Sequence, residues 1–176
     1  MKIKYLLFIL ALLSTSFSIA QKKNTKKKKA VVKAELPAKP GQINSVIPEF
    51  KVRNVVDSSV FTNKNFEKGK RTIIMYFGPD CGHCSYFTKR MLDSMSIFEN
   101  TQIMMVSSSE FAKVKKFYDD QKLSTVPFVT TCFDKDYFFV TNFGVRSFPS
   151  AYVYNTKGRM VKFYESEFSV KALMED

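Results

Sequence analysis

From Val46 onward, short unbroken apolar runs alternate with amphipathic stretches, the pattern expected of an α/β domain built on a buried sheet. The firmest run is Thr72-Ile73-Ile74-Met75-Tyr76-Phe77, rich in β-branched and aromatic side chains, which predicts a central strand covered on both faces. Gly78-Pro79-Asp80 breaks it, and from Gly82 to about Ser96 the residues Tyr86, Phe87, Arg90, Met91 and Met95 are spaced for a helix. A second strand, Gln102 to Ser107, leads into Ser108-Ser109-Glu110, where a serine is placed to cap a helix carrying Phe111, Val114, Phe117 and Tyr118. Val126 to Cys132 reads as a strand or an extended edge, and Asp134 to Phe143 fits either a short helix or a loop. Ala151 to Tyr154 and Met160 to Tyr164 flank the turn Asn155-Thr156-Lys157-Gly158 and predict a hairpin. Glu167 to Asp176 is expected to close the domain as a helix.

The chain has 176 residues, 45% hydrophobic and 25% charged, enough for one well-cored domain and too apolar for a wholly disordered chain. The net charge of +12 invites a nucleic-acid reading, but residues 1–40 hold ten lysines against one glutamate, while residues 41–176 carry only +3. The basicity belongs to the tail, and a near-balanced domain is poorly equipped to track a phosphate backbone, so no nucleic-acid partner is expected.

Lys2 and Lys4 precede an apolar run from Tyr5 to Leu13 and a small-residue site at Ser18-Ile19-Ala20. This reads as a signal peptide over residues 1–20, cleaved after Ala20, with an uncleaved segment serving as a membrane anchor as the alternative. Residues 21–45, rich in lysine and containing Pro37, Pro40 and Gly41, read as a flexible spacer able to touch anionic surfaces. The globular domain is then expected over residues 46–176.

The strongest chemical signal is Cys81-Gly82-His83-Cys84, placed where the buried strand hands over to the helix. A sulfur at a helix N-terminus lies near unsatisfied backbone N–H groups and the positive end of the helix dipole, both of which favour a thiolate. Cys81 is therefore the candidate nucleophile. Cys84, one turn further along, is placed to attack a mixed disulfide on Cys81, release the substrate and close an intramolecular disulfide. His83, the chain's single histidine, sits between the two sulfurs, where its imidazolium would favour the Cys81 thiolate and make the disulfide a stronger oxidant. The third cysteine, Cys132, lies between Thr131 and Phe133 and reads as a buried, inert thiol, with a redox relay or an intermolecular disulfide as the alternatives. Zinc is a poor competitor, because His83 lies inside the spacer between its would-be co-ligands; no metal or other cofactor is expected.

In these features the sequence resembles the thioredoxin superfamily, and within it the exported bacterial ResA/TlpA-like thiol-disulfide oxidoreductases. The resemblance rests on Ile47-Pro48-Glu49-Phe50, Lys68-Gly69-Lys70 ahead of the strand, the Cys81 to Cys84 motif and Gly144-Val145-Arg146-Ser147-Phe148-Pro149-Ser150 ahead of the hairpin. It implies a thioredoxin-like fold, a central mixed β-sheet flanked by helices in a single domain. It also implies that Pro149 is cis and packs opposite the cysteine pair, shaping the groove for an extended substrate. By the same resemblance the substrates are protein thiols and disulfides, a membrane electron-transfer partner is possible, and the location is a bacterial periplasm or the cell exterior. The Gly-His dipeptide is shared with protein disulfide isomerases and leans toward oxidation or isomerisation, so the direction of electron flow stays open.

Several positions depart from the family pattern. Asp80 stands where a tryptophan commonly precedes the first cysteine, and its negative charge would oppose His83; the chain contains no tryptophan. Met75 and Phe87 stand where relatives keep acidic residues, which leaves water or Glu49 to move the proton of Cys84. Phe148 is bulkier than the usual residue before the proline. The alternative to an enzyme is a non-catalytic binding module in which Cys81 and Cys84 form a structural disulfide; a peroxidase is a weaker reading, because such enzymes generally lack this cysteine pair.

Overall fold

A computed structural model describes residues 38–175. The expected leader, and most of the expected spacer, lie outside the described residues. The chain forms β1 (Lys51–Asn54), β2 (Val60–Thr62), β3 (Arg71–Tyr76), α1 (Gly82–Leu92), β4 (Thr101–Ser107), α2 (Phe111–Asp120), β5 (Val129–Phe133), α3 (Phe138–Phe143), β6 (Ser150–Tyr154) and β7 (Met160–Glu165). One seven-stranded mixed sheet has the order β2-β1-β5-β4-β3-β6-β7. Strands β3, β4 and β5 run parallel, while β6 pairs antiparallel with β3 and with β7. This is the thioredoxin-like arrangement.

The sheet separates two apolar layers, and the alternation of side chains along β3 assigns each residue to one of them. Ile73 and Met75 face a layer built with Phe87 and Met91 of α1 and Val114 and Phe117 of α2. Ile74 and Tyr76 face a second layer with Phe139 and Phe143 of α3. Both layers are covered, so β3 is buried along its length, which is why it reads as a continuous apolar run.

The differences from the sequence reading have local causes. Residues 166–175 form only a 3-10 turn at Lys171–Leu173, not a closing helix. Ser166 adopts a left-handed φ of 63°, its N–H donates to the Pro149 carbonyl at 2.9 Å, and Phe168 turns inward onto Phe87 at 4.7 Å. Burying Phe168 there takes precedence over helical continuity. The expected serine cap on α2 is absent, because Ser108 donates instead to Asp134 and the cap position is Glu110, without a side-chain bond. β5 is an interior strand between β4 and β1, not an edge. The helix expected from Gly82 to about Ser96 stops at Leu92, so Met95 lies beyond it, and Tyr86 is exposed. The end of the expected spacer already belongs to the fold: the Asn44 N–H donates to Met160 at 2.8 Å and Ser45 is buried.

Candidate active site

The turn after β3 is fixed by two backbone bonds, Phe77 N–H to the Val106 carbonyl at 3.0 Å and Cys81 N–H to the Gly78 carbonyl at 3.1 Å. It delivers Cys81 to the N-cap position of α1, with extended backbone at φ −90°. There the Cys81 sulfur accepts the Cys84 backbone N–H at 3.2 Å, so one of the orphan donors of the helix start is satisfied by sulfur. The same turn separates the two thiols by environment: Cys81 is part-exposed and Cys84 is 1% exposed. Burial first, and then the neighbouring Cys81, push the Cys84 thiol up to about 12, so it is a protonated thiol at neutral pH.

The peptide bond Phe148–Pro149 is cis and lies across from the pair. The Cys81 thiol points at the Phe148 carbonyl at 4.0 Å, and buried Pro149 lines a groove together with exposed His83. Cys81, Cys84, His83 and Pro149, singled out in the sequence, are thus gathered at one end of the sheet. Phe148 stacks on Tyr76, with ring centroids 5.6 Å apart and an interplanar angle of 27°. Its ring passes so close to Gly78 that a Cβ there would stand 3.2 Å from it and 3.3 Å from the Cys81 Cβ. An aromatic ring therefore does flank the cysteine turn, contributed by the proline segment rather than by the residue before Cys81.

Asp80 is not a lone charge beside Cys81. Lys113 on α2 holds its carboxylate at 2.8 Å, and Asp80 in turn raises the pKa of the Lys113 ammonium. The sequence offers no signal for this pairing, since the partners are 33 positions apart and meet only when α2 packs beside α1. Met75 and Phe87 are buried in the same layer as Cys84 and offer it no titratable partner. Glu49 is exposed near Lys51 and Lys64, and its neighbour Phe50 packs in the opposite layer, so the fold does not bring it toward Cys84. Cys132 is 0% exposed, its thiol is pushed up by burial, and it sits across the sheet from Cys84 in the α3 layer. That separation leaves the relay reading without support. No cluster of three or more metal-binding side chains occurs among the described residues.

A family model described as a thioredoxin-like domain matches residues 62–175. Comparison with curated proteins gives no match. Among solved structures, the chain is similar to the thioredoxin domain of a thiol-disulfide oxidoreductase from Bacteroides vulgatus, with a TM-score of 0.61 and 19% identity over 76% of this chain and 93% of that one. It is also similar to a secreted disulfide oxidoreductase of Mycobacterium tuberculosis, with a TM-score of 0.60 and 15% identity over 71% and 91% of the two chains. A third is the exposed lipoprotein thioredoxin of Streptococcus pneumoniae, with a TM-score of 0.56 and 18% identity over 72% and 96%. At these identities the similarity establishes the shared fold.

Proposed function

The chain belongs to the thioredoxin-like domain family, and from that premise we propose that it is an exported thiol-disulfide oxidoreductase of the ResA/TlpA-like type, exchanging disulfides with protein thiols through Cys81 and Cys84. The observation that carries this reading is the asymmetry of the pair: an accessible sulfur capping α1 and bonded to the amide of a buried one, opposite a cis-proline. Cys81 attacks a substrate disulfide and forms a mixed disulfide, expelling one substrate thiolate. Cys84 loses its proton to solvent and attacks the Cys81 sulfur, which expels the second substrate thiolate and closes the Cys81–Cys84 bond. Two electrons pass from the protein to the substrate; run backwards, the same steps oxidise a dithiol. Cys81 is the nucleophile, Cys84 the resolving thiol, His83 the tuning group and Pro149 the wall of the substrate groove.

The export reading rests on the residues 1–20 pattern, with residues 21–45 as a spacer and 46–176 as the catalytic domain, in a bacterial periplasm or at the cell surface. No helix among the described residues is long and apolar enough to cross a membrane. The direction of electron flow is set by the reduction potential of the pair and by partner proteins, including a membrane electron-transfer partner if the pair works as a reductase.

Equilibration of the protein in glutathione buffers, with trapping of free thiols, tests the reading. The expected result is one reversible two-electron transition, lost in Cys81→Ser and stalled at a mixed disulfide in Cys84→Ser. A bridge that resists equilibration would instead identify a structural disulfide in a binding module.

A further inference from the structure

A groove of about 900 Å³ begins at His83 and Pro149 beside the cysteine pair and follows the outer side of α1 as far as Ile97. Its other wall is the segment 166–171. That segment is not a helix: Phe168 folds onto Phe87 and Val170 packs against the core, while Ser166, Glu167 and Ser169 stay exposed. Two large apolar side chains, Tyr86 at 67% and Ile97 at 38% exposure, line the cleft, with Phe87, Phe168 and Val170 beneath them. A concave, mostly apolar cleft with a few polar groups is the usual form of a binding site. Its charge is uneven as well, since Arg90 and Lys171 line it against a single carboxylate, Glu167. Neither cation has an ion-pair partner among the described residues.

We propose that this groove docks the polypeptide that flanks the reacting cysteine of a substrate, and that it selects extended segments carrying apolar side chains and a carboxylate about three residues from that cysteine. The inference rests on the redox reading above and gives it a substrate class. A polypeptide is the fitting occupant because the groove is continuous with the cysteine and cis-proline site, so a chain engaged at Cys81 runs directly into it. The spacing follows from geometry. Seven residues of helix separate His83 from Arg90, about 10 Å at about 1.5 Å per residue. An extended strand covers that distance in about three residues at about 3.3 Å each. Side chains in between lie over Tyr86 and Phe87, and an acidic group at the third residue reaches Arg90.

The test uses the full chain, reduced and freed of reductant, with cysteine peptides capped as mixed disulfides of 2-mercaptoethanol. Each turnover oxidises Cys81 and Cys84 to the disulfide and releases the peptide thiol and 2-mercaptoethanol, so two electrons and two protons are accounted for. The peptides differ only at the third residue to either side of cysteine, carrying Glu, Gln or Lys. At low salt the Glu peptide is expected to react about two- to fivefold faster than the Lys peptide, the range a single exposed ion pair allows. High salt should level the difference. Arg90→Glu should reverse the order and Arg90→Gln abolish it, while both variants keep the wild-type rate with neutral 2-hydroxyethyl disulfide, which does not reach Arg90. Equal rates for the three peptides on a protein that reduces 2-hydroxyethyl disulfide, or an order unchanged in Arg90→Glu, would overturn the docking proposal alone. A wild-type protein inert to 2-hydroxyethyl disulfide would overturn the redox reading beneath it.

Discussion

Lys113, on a helix that follows the cysteine motif in the chain, holds the carboxylate of Asp80, the residue immediately before Cys81, at 2.8 Å. The pair offsets the negative charge that Asp80 would otherwise present to a thiolate at Cys81. Replacing Lys113 with Met frees that charge, and the reaction of Cys81 with iodoacetamide at pH 7 is expected to slow about twofold, the scale of an exposed pair. Asp80→Asn should speed it by a similar factor, and 0.5 M salt should blunt both effects. Rates equal in all three proteins at low salt would show that the pair has no influence on the site.

Burial raises the pKa of Cys84, Cys132, Tyr76, Tyr152 and Tyr154, so each is held neutral in the fold. Once the chain unfolds they ionise in their ordinary range, and above about pH 9 the unfolded state therefore binds fewer protons than the native one. Stability of the reduced protein is complete below that point and falls as pH rises through it. Urea midpoints at pH 8 and pH 10.5 should differ in that direction, and Cys132→Ala should show a smaller drop between the two pH values than wild type. A midpoint that holds level or rises would refute this account.

The sequence made the cysteine pair and its scaffold legible because their signals are local. The run from Thr72 to Phe77 is apolar on both faces, Gly78-Pro79 ends it, and the two cysteines follow at one-turn spacing. What stayed hidden depends on contacts between distant segments. Lys113 meets Asp80 only through helix packing, and Phe168 abandons the helical pattern of its segment because an aromatic pocket over Phe87 is available. The segment from Asp134 to Phe143 reads as helix or loop for the same reason, since its six-residue helix is tied to the fold through Asp134, which accepts from Ser108, 26 positions away. β1 and β2 are short and carry only weak alternation, and the pairing of β2 with β1 and of β1 with β5 is set by the sheet rather than by their own residues.

Gly78 is needed for the close approach of Phe148, because a methyl group there meets the ring at 3.2 Å and the Cys81 Cβ at 3.3 Å. Gly78→Ala should displace the half-exposed ring from Tyr76 and lower stability by about 1 kcal/mol, the low end for overpacking. In a Phe148→Ala background the same change should be nearly neutral, since its main obstacle is gone. A double-mutant cycle by urea unfolding measures the coupling. Equal losses in the two backgrounds would mean that the ring is not what excludes a side chain at position 78.

Asp134 is fully buried and accepts three hydrogen bonds, from the Phe138 N–H at 3.0 Å, the Phe139 N–H at 2.9 Å and the Ser108 hydroxyl at 3.2 Å. It thereby caps α3 and ties it to the loop that leads into α2. With only six residues, α3 has little intrinsic stability and depends on this cap and on the packing of Phe139 and Phe143. Asp134→Ala leaves two buried amides and a hydroxyl without their acceptor, and a loss of about 2–4 kcal/mol is expected. Asp134→Asn, which keeps one acceptor oxygen, should lose about half as much. Faster amide exchange at Phe138 and Phe139 in both variants would locate the loss at the start of α3, whereas unfolding free energies within about 0.5 kcal/mol of wild type would rule the anchor out.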